Sequence, residues 1–397
     1  MMSLLVGLTL FVSLWHLMLQ QQQQEQYIEV SSPYIVTNES IIIASAAANH
    51  NHIETTFTTI SEAGLEALPK NDFSQLIDLD NFKFTISHRG CRHLQPKPIV
   101  VILVHSAPEN FQKRTVIRET WGRDDYRSLL IFLIGAVNTT KIQDKIELES
   151  NVHGDIVQGN FDDVYRNMTY KHVMALKWFT YNCRDAHYLL KTDDDVFVNT
   201  PLMYNYLEKP SALSQPFHRG RLLFCHEISR AKVKRTFRSK WRVSYDEYPE
   251  KYFPNHCPGF SILYSADIVP LLYQQAQKLR YFWIDDVQIT GIVTSKLNIS
   301  IAHSGNFFLN VSQQVKVFDR QNREAKSLQF FFALPNLSEH SIRELSEICD
   351  LNFKSSNVTQ SYVSDNEVEN VSNWNRSFKA IFCAESKRIE RVSSKIC

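Results

Sequence analysis

Asp193, Asp194 and Asp195 are three consecutive carboxylates between the apolar runs 188–190 and 196–198. Adjacent carboxylates at the end of a buried strand repel one another and lose hydration, a cost that a divalent cation removes. Oxygen-only ligands select a hard ion, Mg²⁺ or Mn²⁺, of the kind that also holds substrate phosphates. The alternative is an acidic turn left in water, the ordinary fate of a charge run. Placement at a strand end counts against that alternative, since ligands of open α/β sheets sit beyond the carboxyl ends of strands. A second acidic pair, Asp285-Asp286, opens the segment running to Gly291, and its plainest role is to cap a helix there.

The elements that must position these acids alternate in type. Apolar runs at 98–104, 129–134, 155–158 and 187–191 read as buried strands, and the stretches 114–122, 142–152 and 165–179 as helices. This order predicts an α/β sheet, largely parallel. In the helix over 165–179, Met168, Ala175, Leu176 and Phe179 share one face, with Asp162 or Asp163 as its cap. The chain turns basic over 217–241, with Arg219, Arg221, Arg230, Lys232, Lys234, Arg235, Arg238 and Lys240. That segment is either a solvated hairpin or edge strand, or a surface facing an anionic ligand. The aromatic, proline-rich loop at 245–260 offers rings that stack on sugar faces or simply pack a core. A helix over 265–280 follows.

Composition narrows the classes. The chain has 397 residues, a formal net charge of +1 and 44% hydrophobic residues, which excludes bulk nucleic-acid binding. It contains no G-x-G-x-x-G and no G-x-x-x-x-G-K-[ST], so a bound nucleotide would need a metal to carry its phosphates. Residues 3–19 hold no charged side chain other than a titratable His16, and end at five glutamines. That run reads as an uncleaved anchor rather than a signal peptide, because no small-x-small site follows it. At about 1.5 Å per residue it spans roughly 25 Å, somewhat short of a ~30 Å hydrocarbon core. Nine N-x-[ST] sequons, at Asn38, Asn138, Asn167, Asn298, Asn310, Asn336, Asn357, Asn370 and Asn375, place the chain in a lumenal compartment. Its seven cysteines then read as disulfide candidates with one left over.

Six spaced blocks together resemble the β-1,3-glycosyltransferases, glycosyltransferase family 31, the galactosyl- and N-acetylglucosaminyltransferases related to fringe. They are Arg114-x-x-Ile-Arg-x-Thr-Trp-Gly122, Phe132-Leu-Ile-Gly135, the run from Gly154 to Lys171, Lys191-Thr-Asp-Asp-Asp-Val-Phe197, the Tyr/Pro/Cys-x-Gly stretch at 252–259, and Asp285-Asp-Val-x-x-x-Gly291. The resemblance covers about residues 91–300. It implies a GT-A fold, with a Rossmann-like nucleotide-binding half and an acceptor half on a type II membrane anchor and stem. The expected boundaries are 1–19 for the anchor, 20–90 for the stem, 91–310 for the catalytic domain and 311–397 for an extension packed on it. Within 20–90, residues 73–86 are expected to dock on the domain.

By the same resemblance, the activity is an inverting transfer from a UDP-sugar to the 3-hydroxyl of a glycan. Galactose is the first choice of sugar and N-acetylglucosamine the second. Asp286 is the general base, with Asp285 as second choice. Asp195, Asp193 and His303 would hold Mn²⁺, and Asp194, Lys191, Arg114 and Arg118 would meet the donor. Cys91–Cys183 and Cys225–Cys257 are the disulfides expected. Asn138, Asn298, Asn310, Asn336 and Asn357 are the glycosylation sites expected. The partners implied are a UDP-sugar, an acceptor on a glycoprotein or glycolipid, the Golgi membrane, a second copy of the chain as an option, and no nucleic acid. The competing reading is a lumenal glycan-binding protein that has lost catalysis. Departures from the family pattern are Pro258 in the acceptor-side loop and Ile292-Val293 where a cysteine is frequent.

Overall fold

The computed structural model describes residue 68 and residues 71–208, 217, 220–304, 307–319 and 329–361, the side chains of 352–361 excepted. The chain divides into two compact units. One gathers residues up to Glu109 with Tyr126–Asp193 and Gln215–Ser304; the other gathers Asn110–Asp125, Asp194–Ser214 and Gly305–Cys397. Two internal pieces of the segment 91–310 thus group with residues of the C-terminal part. The Asp triplet is itself divided, with Asp193 in the first unit and Asp194 and Asp195 in the second.

The first unit is built on an eight-stranded sheet. Its centre is β2 (Val100–His105), six residues that are all buried. Near-continuous apolar runs of this kind mark strands covered on both faces. β3 (Ser128–Ala136) and β5 (Tyr188–Asp193) flank β2 in parallel, and β4 (Ile156–Asp162) extends the parallel set beyond β3. Beyond β5 the sheet turns antiparallel through β7 (Ser261–Ser265) and then β6 (Leu223–Phe224), with β8 (Ile301–Ala302) at the far edge. Register places His105 opposite both Asp193 and Leu133, so the strand ends that carry chemistry are level with one another.

The other edge is β1 (Phe84–Ile86), antiparallel to β4. The folded unit thus begins inside the segment 20–90 expected as stem, and residues 73–86 dock as anticipated. Among the helices, α2 (Thr140–His153) follows β3, and α5 (Val269–Ala276) is shorter than the helix read over 265–280. Helix α3 (Met168–Asn182) differs from its sequence reading. A 3-10 turn at Tyr165–Asn167 precedes it, neither Asp162 nor Asp163 caps it, and Thr169 through Thr180 are all buried. A helix buried all round is a core element, and its Lys171, His172 and Lys177 are inside because each meets specific partners.

Cys91–Cys183 and Cys225–Cys257 are both formed, as expected. The second ties the base of the basic segment to the aromatic loop. The two run antiparallel through bridges Ile228–His256 and Lys232–Tyr252, which is the hairpin reading of 217–241. Arg235 donates to the carbonyls of Val243, Ser244, Tyr248 and Glu250, so this cation closes a loop tip. Beneath the loop Val233, Val243, Phe282, Trp283 and Val287 form a small apolar cluster.

In the second unit, α1 (Phe111–Glu119) packs on α7 (Glu339–Ser361), with α4 (Thr200–Glu208) and α6 (Val311–Phe318). The extended residues after the Asp triplet are paired by the C-terminal segment: Asn199 N–H donates to Phe331 O at 2.7 Å and Ala333 N–H to Phe197 O at 3.0 Å. The part expected as an extension completes this unit. Among the described residues no helix is long and apolar enough to cross a membrane, and the anchor expected at 1–19 lies outside them.

Candidate active site

The antiparallel pairing of β5 with β7 brings Gly259 level with the end of β5, where Thr192 Oγ1 donates to Phe260 O at 2.8 Å. There the Gly259 backbone is held from both sides. Its carbonyl accepts from Lys191 Nζ, and its N–H donates to Asp286 Oδ2 at 2.9 Å. Lys191 Nζ also donates to Asp193 Oδ1 at 2.8 Å. A hydrogen-bonded path therefore runs Asp193–Lys191–Gly259–Asp286 within the first unit. A Cβ at Gly259 would stand 3.1 Å from Asp286 Cγ, so the approach of the carboxylate requires glycine.

Asp285 and Asp286 lead into a π-helical stretch, Val287–Val293. Such stretches are rare and concentrate at functional sites. Its packing against the loop is close: a Cβ at Gly291 would lie 2.8 Å from Pro254 Cγ, and Cys257 N–H donates to Thr290 Oγ1 at 2.9 Å. Asp286 makes no capping bond, and its Oδ1 is buried with no hydrogen-bond partner among the described residues. Asp285 turns the other way. Its Oδ2 accepts from His172 Nδ1 at 2.9 Å, and His172 Nε2 meets the Tyr264 hydroxyl at 3.0 Å.

These surroundings separate the two acids. Burial would raise Asp285, but the His172 hydrogen bond and the Lys191 charge outweigh it and hold the carboxyl below its usual range. Asp286 is pushed well above that range by burial and by the Asp285 charge, which Lys191 only partly offsets. The Lys191 ammonium, disfavoured by burial, is raised by Asp193, Asp285 and Asp286. Burial and the neighbouring Lys191 keep His105 neutral. Both of its ring nitrogens lack a partner among the described residues, and its ring stands edge-on to His172 at 5.6 Å. Tyr165 is half exposed, accepts from Trp241 Nε1 at 2.6 Å, and is pushed up to about 12 by burial and by Asp286, Asp285 and Asp193.

The other expected residues have these places. Lys191, expected at the donor, is buried and donates to Asp193 and to the Gly259 carbonyl. In the second unit Asp194 accepts from Asn110 Nδ2 at 2.8 Å and from Lys113 at 3.4 Å. Asp195 is half-buried, and its carbonyl accepts from Leu337 N–H at 3.0 Å. Arg114 is fully buried with its guanidinium 4.7 Å from the centre of the Phe111 ring; Arg118, on the same helix, is half-buried. His303 is exposed just past β8. Among the described residues no three His, Cys, Asp or Glu side chains gather as a preformed cage. The triplet nevertheless suits Mn²⁺ in kind, being all carboxylate oxygen.

Asn138, Asn298, Asn310 and Asn336 are exposed, while Asn357 falls within α7. Asn167 is unsuited to a glycan, because its Nδ2 donates to Asp162 O and Thr169 is buried against Phe282 O. Cys349 has no disulfide partner among the described residues. Sequence reasoning missed His172, His105 and Tyr264, which no spacing connects to the acids. It also missed Lys171, whose Nζ ties Ser106 O (2.8 Å) to Asp163 (2.7 Å), although Lys171 and Asp163 both lie in the run from Gly154 to Lys171.

A galactosyltransferase family model matches residues 112–305. Human UDP-GalNAc:beta-1,3-N-acetylgalactosaminyltransferase 1 is 34% identical over 270 residues, 64% of this chain and 78% of that protein. Mouse beta-1,3-galactosyltransferase 1 is 32% identical over 214 residues, 53% of this chain and 64% of its own length. A solved structure of a glycosyltransferase involved in glycosylation of the PBCV-1 major capsid aligns over 64% of this chain and all of that one. Its identity is 11% and its TM-score 0.28, too low to bear on the fold. With one relative sharing a third of its residues across most of that relative's length, and a galactosyltransferase family model matching 112–305, the chain belongs to the galactosyltransferase family, glycosyltransferase family 31.

Proposed function

We propose that this chain is an inverting β-1,3-glycosyltransferase of GT-A fold that moves a hexose from a UDP-sugar to the 3-hydroxyl of a glycan. The observation that carries the reading is the Asp286 carboxylate, fixed through Oδ2 by Gly259 and left with an unpartnered Oδ1. A general base needs a held carboxylate with one oxygen free for a proton, and a pKa raised toward the working pH. The acceptor oxygen bonds to the anomeric carbon as its proton passes to Asp286, and the bond from that carbon to the diphosphate oxygen breaks with its electrons on UDP. Mn²⁺ held by Asp195, with Asp193 and His303 as further ligands, would supply positive charge against the diphosphate.

Tyr165 and Trp241, joined by their hydrogen bond, offer faces on which an acceptor sugar stacks beside the acids. Galactose and N-acetylgalactosamine are the donors that the relatives' activities favour, with N-acetylglucosamine next. The apolar run at 3–19 and the sequons support a type II Golgi enzyme acting on glycoproteins or glycolipids.

The test is UDP release by residues 70–397 with a panel of UDP-sugars and β-galactoside or β-GlcNAc acceptors, in Mn²⁺ or EDTA. Acceptor-dependent release with one donor, lost in EDTA, in Asp195→Ala and in Asp286→Asn, supports the proposal. Folded protein that binds glycan without turning over any donor would make it a lectin instead.

A further inference from the structure

We propose that His172 is a positioning residue for the transfer, holding Asp285 ionised so that Asp286 acts as the base. The inference rests on the base assignment made above for Asp286. Its grounds are geometric. His172 lies in the middle of α3 with no exposure, yet both ring nitrogens are used, Nδ1 on Asp285 Oδ2 at 2.9 Å and Nε2 on the Tyr264 hydroxyl at 3.0 Å. Tyr264 stands on β7 and is itself fully buried; its hydroxyl can donate or accept, whereas the ionised Asp285 carboxylate can only accept. That fixes one tautomer: Tyr264 O–H donates to Nε2, and Nδ1–H donates to Asp285.

The titratable groups facing this relay are His105 from β2, Lys191 and Asp193 from β5, Asp286 beside Asp285, and the hydroxyls of Tyr165 and Tyr281. Burial is the largest influence on His172 and lowers it, so the ring is a neutral donor and not a second cation. His105 is neutral as well. Asp285 therefore keeps its charge through a hydrogen bond without being cancelled by a contacting cation, and its field falls on Asp286. Two adjacent carboxylates titrate as a pair, so the proton that must leave before catalysis is the pair's second. Losing the His172 donor destabilises the doubly ionised pair and moves that step to higher pH.

The experiment compares His172→Phe, which keeps a ring but no donor, with His172→Asn, whose amide nitrogen can take the place of Nδ1. The readout is the pH profile of transfer from UDP-galactose and UDP-N-acetylgalactosamine in Mn²⁺. A hydrogen bond to a charged group is worth enough to move the acid limb up by about one pH unit, roughly a tenfold loss below it. His172→Phe should show that shift, His172→Asn should recover most of it, and Tyr264→Phe should show a smaller one. ¹⁵N spectra of the wild type should report a neutral Nδ1–H tautomer. Should His172→Phe misfold, Tyr264→Phe and the ¹⁵N spectra still decide. A folded His172→Phe with the wild-type profile, a His172→Asn no better than His172→Phe, an unshifted Tyr264→Phe or an Nε2–H tautomer would overturn the inference. Activity retained in Asp286→Asn would instead overturn the base assignment beneath it.

Discussion

Asp193–Asp195 and Asp285–Asp286 are both runs of adjacent carboxylates, and the protein treats them in opposite ways. In the first run contacting cations answer the charge: Lys191 bonds Asp193 and Lys113 pairs with Asp194. In the second the contacts are a neutral imidazole and a backbone N–H, and one oxygen has no partner. A carboxylate met by ammonium groups has its charge matched before any ligand arrives. In the second run only Asp286, held by one backbone N–H beside a charged neighbour, keeps its appetite for a proton, while the His172 hydrogen bond takes it from Asp285. The partner's chemistry, more than the acid itself, distinguishes ion handling from proton handling.

The sharpest way to break this contrast is Asp286→Asn. It keeps the acceptor for Gly259 N–H but removes the proton acceptor, and kcat should fall by about 10²–10⁴ with thermal stability close to wild type. The matching change in the other run, Asp194→Asn, should leave a far larger residual rate. Gly259→Ala tests whether the backbone sets the position of Asp286. Its methyl must displace the carboxylate, and a shift of about 1 Å costs on the order of 10² in kcat while donor binding is kept. Lys191→Met sharpens the cation side. Leaving the half-buried Asp193 carboxylate and the Gly259 carbonyl without their ammonium partner should cost about 2 kcal/mol, read as a lower denaturant midpoint at constant slope. The smallest effect is reserved for the surface: Asn298→Gln should remove one glycan by mass and leave the rate unchanged.

Much of this was legible in the chain. The strands β2, β3 and β5 announce themselves because strands buried on both faces must be apolar throughout. Glycine at 259 and the acids at 285–286 stood in recognisable blocks. His172 was hidden for a physical reason. It lies on a helix expected to show one apolar face, and its partner is 113 residues away, so only the fold joins them. The divided Asp triplet was equally opaque, because covalent adjacency says nothing about which pieces a residue packs with. The edge strand β1 is three residues long, too short for any periodicity to register.

Asp72 has a practical consequence. It is buried with Lys177, which donates to its backbone carbonyl; Tyr181 and Tyr273 donate to its Oδ2 at 2.6 Å, and Gln277 reaches Oδ1 at 3.3 Å. Four side chains on α3 and the α5 region thus close around a residue lying nineteen positions ahead of Cys91 (91 − 72 = 19). A soluble fragment cut at the first disulfide cysteine would keep every sequence block of the family and still strand a buried ammonium inside its core. Wherever the N-terminal part of the chain is trimmed, by a protease or by an experimenter, position 72 marks how far the cut can advance before the fold loses this buried cluster.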